Sequence, residues 1–65
     1  MNELAIFLKD SHIYFMTDKT NVDMAYSDFE DACNSVGINI DNLSVVECIL
    51  RDKNGEDIEG VYKTK

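Results

Sequence analysis

Leu4-Ala5-Ile6-Phe7-Leu8-Lys9-Asp10-Ser11-His12-Ile13-Tyr14-Phe15-Met16-Thr17 is the stretch on which the fold turns. Two runs, Leu4–Lys9 and His12–Thr17, are rich in Ile, Phe and Tyr and alternate like strands. Asp10 and Ser11 between them are turn formers. Paired as a hairpin across that turn, Leu8 falls opposite Ile13, Ile6 opposite Phe15 and Phe7 opposite Tyr14. Leu4, Ile6, Leu8, Ile13 and Phe15 then share one face, because side chains alternate along a strand. Ala5, Phe7, Tyr14 and Met16 fall on the other.

Downstream, Asp18–Asp23 lacks periodicity and reads as a loop. Ser27-Asp28-Phe29-Glu30 fits a capping box, in which Ser27 and Glu30 satisfy each other's backbone N–H groups. Asp28 and Glu30 then sit in the first helical turn, where the helix dipole favours negative charge. Phe29, Ala32, Cys33 and Val36 recur at helical spacing, and Gly37 is the expected stop, which predicts a helix of about ten residues. After a connector, Ile38–Leu43, the runs Ser44–Arg51 and Asp57–Tyr62 read as two more strands.

The turn between those strands admits two readings. A two-residue Asn54-Gly55 turn sets Leu50 opposite Glu59 and mixes the faces. A three-residue Lys53-Asn54-Gly55 loop with left-handed Gly55 in a bulge sets Leu50 opposite Ile58 and Val46 opposite Tyr62, and is preferred. It keeps Val46, Cys48, Leu50, Ile58 and Tyr62 on the core face and leaves Val45, Glu47, Ile49, Arg51, Glu59 and Val61 on the outer one. The order β-β-α-β-β predicts a small α+β fold, a four-stranded antiparallel sheet with one short helix on one face. Residues 1–65 are expected to form a single domain. Strand order does not follow from the pattern.

Charge is distributed unevenly. The chain has 65 residues, a formal net charge of −7, and between Thr20 and Leu50 six carboxylates with no Lys or Arg. Such a field repels nucleic acid phosphates and anionic membranes and attracts basic protein surfaces. Asp23, Asp28, Glu30 and Asp31 are the candidate acidic contact patch. No apolar run approaches the roughly 20 residues of a membrane span, and no signal peptide is visible, so a cytoplasmic location is expected. Frequent Asn, Ile and Lys, with no Pro or Trp, suggest an AT-rich coding source such as a low-GC bacterium or its mobile elements.

A single helix covers one face of a sheet. The other, with Ala5, Phe7, Tyr14 and Met16 rimmed by charge, is a candidate protein contact or dimer face. No cofactor or metal is expected. Asp52-Lys53-Asn54-Gly55-Glu56-Asp57 fails as a calcium loop, because Gly55 at position six would put Leu50 at position one. Cys33 and Cys48 fall on core faces and read as buried free thiols. His12, beside Asp10 and Ser11 on a tight turn, lacks the convergent geometry of a triad. The expectation is therefore a non-enzymatic, acidic protein-binding module that regulates or inhibits a partner with a basic surface. In size and charge alone it resembles small acidic phage and mobile-element proteins that block host nucleases or DNA-binding proteins. The alternative is a structural domain that homodimerises through the outer sheet face.

Overall fold

The computed structural model describes residues 1–62; the Tyr62 side chain and residues 63–65 lie outside the described part. Strands β1 (Asn2–Leu8) and β2 (His12–Thr17) are followed by helix α1 (Val22–Ser35), a single 3-10 turn (Ile40–Leu43), and strands β3 (Val45–Arg51) and β4 (Asp57–Tyr62). All pairings are antiparallel and the strand order is β2-β1-β3-β4. The molecule is thus an α+β fold with β1 and β3 central and β2 and β4 at the edges.

The core lies between the sheet and α1. Leu4, Ile6, Cys48 and Leu50 from the central strands meet Val22, Ala25, Phe29 and Cys33 from the helix, with Ile40 closing one end. Leu4, Ile6, Leu50 and Val22 are completely buried, each contributing about 1.5–3 kcal/mol in removal of apolar area from water. Phe29 meets Phe15 of β2 edge-on, with ring centroids 5.6 Å apart. Neither Cys33 nor Cys48 is in a disulfide, and both are buried, as expected.

The helix begins earlier than its capping box implies. Asn21 is the N-cap, its side chain accepting from the backbone N–H of Met24 at 3.0 Å. Ser27 is an interior, exposed residue, and α1 is 14 residues long rather than about ten. Residues 18–21 alone form the loop. The physical reason is packing: Val22 and Ala25 extend the stripe of Phe29 and Cys33 by two turns, whereas Ala32 and Val36 are exposed. Gly37 does end the helix, at φ +81°, with its N–H bonded to the Asn34 carbonyl and that of Ile38 to the Cys33 carbonyl. This is a Schellman closure.

The first hairpin pairs Leu4 with Phe15, Ile6 with Ile13, Ala5 with Tyr14 and Phe7 with His12. The turn is Lys9-Asp10, closed by a 2.8 Å bond from the Leu8 N–H to the Ser11 carbonyl. Relative to the expected pairing this is a slip of two residues, so every side chain keeps its face while every partner changes.

The second hairpin combines both sequence readings. The Asp52 N–H donates to the Glu56 carbonyl and Gly55 has φ +83°, so the loop is the three-residue one. Beyond Arg51–Asp57 the register shifts, and Leu50 stands opposite Glu59, Cys48 opposite Val61 and Glu47 opposite Tyr62. Ile58 is the extra residue of a bulge and is exposed, not core. Glu59 and Val61 consequently point to the helix side rather than outward. A second shift, between Phe7 and Leu8 against β3, puts Val45 opposite Leu8, and Val45, not Val46, packs on the core.

Candidate partner-binding surface

Opposite α1 the sheet presents three cross-strand rows. Tyr14, Ala5, Ile49 and Gly60 form the middle one. Met16, Glu3, Arg51 and Asp57 lie on one side of it, and His12, Phe7 and Glu47 on the other. The four residues predicted for this face, Ala5, Phe7, Tyr14 and Met16, are therefore neighbours in space. Glu3 belongs with them, between Met16 and Arg51, a position that its period-two spacing from Ala5 and Phe7 signals.

The centre of the face is self-covering. Ala5 is completely buried although no helix lies over it, because Tyr14 and Ile49 flank it from both neighbouring strands. Tyr14 and Met16 remain 53% and 54% exposed on the edge strand. The His12 ring lies 4.9 Å from that of Tyr14 and 6.4 Å from that of Phe7, so an aromatic row crosses two strands. The rim is charged. Among the described residues it holds three carboxylates, Glu3, Glu47 and Asp57, and one guanidinium, Arg51, whose Nε donates to the Asp57 carboxylate at 3.1 Å.

The acidic residues do not form the single patch expected. Asp28, Glu30 and Asp31 lie in the middle of α1, and only Asp23 lies in its first turn. With 3.6 residues per turn, Asp23 and Glu30 share one flank, Asp31 points away from the sheet, and Asp28 falls on the other flank. There Lys19 reaches it at 3.2 Å while also holding Asp18 at 3.0 Å. Those carboxylates raise the Lys19 pKa, and the ammonium lowers that of Asp18. The base-free run thus begins one residue after the base that folds back onto it. Asp41 lies in the 3-10 turn, near Tyr26, and Glu47 is on the outer sheet face. Burial, then the nearby Cys48 thiol and the Glu30 and Asp41 carboxylates, hold the Tyr26 phenol above its ordinary range.

His12 is exposed on the sheet face and both cysteines are buried in the core, so these groups do not converge. Among the described residues no three His, Cys, Asp or Glu side chains gather as metal ligands, and no helix is long and apolar enough to cross a membrane. What the geometry defines is a small acidic α+β domain with one helix-covered sheet face and one apolar face with an acidic rim. Comparisons with protein-family models, curated proteins and solved structures found no match.

Proposed function

We propose that this chain is a non-enzymatic binding module that regulates or inhibits a protein partner through the outer face of its sheet. The observation that carries the reading is the apolar cluster of Phe7, Ala5, Tyr14, Met16 and Ile49 across three rows, bounded by Glu3, Glu47 and Asp57. Apolar centres within polar rims are how protein contact surfaces are built, and aromatic residues supply most of their energy. Charge selects the occupant. An acidic rim on a chain of net charge −7 suits a partner whose own apolar patch is bordered by Lys or Arg. A second copy of the chain suits this face less well, since it would set like-charged rims against each other. Where the partner's basic surface is also its nucleic acid site, occupying it would inhibit. Two cysteines that form no disulfide suit a reducing compartment such as the cytoplasm.

The test is capture of partners from the source cell with wild-type protein and two variants. Phe7→Ser with Glu47→Lys alters the sheet face; Asp28→Asn with Glu30→Gln and Asp31→Asn neutralises the helix. Loss of a captured protein with the first variant alone, together with weakening in high salt, supports the sheet face. Loss with the second variant alone would move the contact to α1 and overturn this reading.

A further inference from the structure

We propose that β2 is the seam of a homodimer in which two copies pair antiparallel through their free edges, with Tyr14 on the twofold axis. Each four-stranded sheet would continue into the other, leaving both outer faces open side by side.

The two sheet edges differ in what they present. Edge β4 carries Asp57 and Glu59 and a bulge at Ile58, charges and an irregularity of the kind that keep an edge from pairing. Edge β2, His12–Thr17, has no Asp, Glu, Lys or Arg and pairs with β1 in unbroken register. An unprotected, regular, apolar edge strand is a template for another strand.

The backbone pattern says which groups are on offer. The Leu8 N–H to Ser11 carbonyl bond closes the turn, and hydrogen-bonded and non-bonded pairs alternate from there along an antiparallel ladder. Ile13 and Phe15 therefore bond to β1, whereas the N–H and C=O groups of His12, Tyr14 and Met16 point outward. A twofold axis through Tyr14 sets Tyr14 against Tyr14 and His12 against Met16 of the other copy. Every outward group then meets a complement, in about six inter-chain bonds. Pairing Tyr14 with itself also keeps outer side chains on the outer side, and would cover only the flanks of Tyr14 and Met16 that face the free edge, both being about half exposed in the single chain.

Charge points to a second copy as the occupant. The segment Lys9–Lys19 carries Lys9, Asp10, Asp18 and Lys19 and is otherwise uncharged, so it is formally neutral in a chain of −7. The helix flank turned toward it carries Asp28, already paired with Lys19, while Asp23 and Glu30 lie on the opposite flank. Two strongly acidic copies can approach each other with least repulsion here.

Sedimentation of the full chain should give twice 7.4 kDa at micromolar concentration. In that dimer the amides of His12, Tyr14 and Met16 should exchange with solvent at least about tenfold more slowly than after dilution to monomer, while Ile13 and Phe15 stay protected in both. Tyr14→Pro removes the outward N–H, and with it the ring beside Ala5 and His12, but no backbone bond to β1, and should give a folded monomer; Ile49→Lys, on the outer face away from the edge, should leave the dimer intact. A monomer at all concentrations overturns the proposal, as does a dimer in which the His12, Tyr14 and Met16 amides exchange freely. Dissociation by Ile49→Lys with a Tyr14→Pro dimer would assign the seam to the sheet face instead. Should Tyr14→Pro fail to fold, the exchange pattern of the wild-type chain decides.

Discussion

The Glu59 carboxylate accepts a 2.7 Å hydrogen bond from the backbone N–H of Val22, the first residue of α1. It ties the edge strand β4 to a helix 37 positions earlier in the chain. The bulge at Ile58 makes it possible, by turning Glu59 from the outer to the helix side of the sheet. A carboxylate there satisfies one orphan donor and complements the helix dipole. Glu59→Ala should therefore destabilise the fold by about 1 kcal/mol, lowering Tm by roughly 4–8 °C for a domain of this size. Glu59→Gln should lose less, because it keeps an acceptor and gives up only the charge. Thermal melts followed by helical circular dichroism check both; equal melting of wild type and Glu59→Ala would refute the tether.

Asn21, and not Ser27, is the second anchor of that helix start. Asn21→Ala should cost about 1 kcal/mol, since it leaves the Met24 N–H without its acceptor. Ser27→Ala, at an exposed interior position, should be neutral or stabilising by up to about 0.5 kcal/mol through helix propensity. Urea unfolding of the two variants separates the two cap positions, and a larger loss for Ser27→Ala would return the start to the capping box.

The other end of α1 depends on a backbone conformation. Gly37 holds φ +81°, and a Cβ there would meet no atom within 4 Å, so space is not the constraint. Gly37→Ala should nonetheless cost about 1–2 kcal/mol, the strain of a left-handed backbone in a residue with a side chain. Gly37→Asn should cost less, since Asn tolerates that region. Chemical denaturation midpoints of the two variants give the comparison, and an Ala variant as stable as wild type would rule out conformational strain as the reason for glycine.

What the sequence made legible follows from which errors it forgives. In the first hairpin a slip of two residues changes partners but not faces, so Ala5, Phe7, Tyr14 and Met16 were placed together from alternation alone. In the second, a one-residue bulge reverses faces, and Ile58, Glu59 and Val61 were misplaced because nothing local distinguishes a bulge beyond the turn from one within it. The helix start went to Ser27 because its capping box is locally complete. Asn21 won through burial of Val22 and Ala25 against strands far away in the chain. The acidic run looked like one patch for a related reason. A helix turns 100° per residue, so neighbours in sequence diverge in direction, and Lys19, outside the run, returns to neutralise one member.

The placement of Tyr26 has a consequence at high pH. Its phenol holds its proton more tightly in the folded chain, chiefly through burial, then through the Cys48 thiol and the Glu30 and Asp41 carboxylates beside it. In the unfolded chain a phenol ionises near 10. As pH rises through that value the unfolded state releases its proton first, so stability is complete below about pH 10 and falls as pH rises toward the higher folded value. Lys19, raised by Asp18 and Asp28, acts in the same direction, but its exposure to solvent makes its share small. Urea midpoints of wild type should thus decline above about pH 10, and those of Tyr26→Phe should decline less steeply. Lost phenol contacts would offset the Tyr26→Phe curve equally at every pH, so the slope is the diagnostic quantity. Parallel slopes for the two proteins between pH 9 and 11 would show that Tyr26 does not carry the alkaline transition.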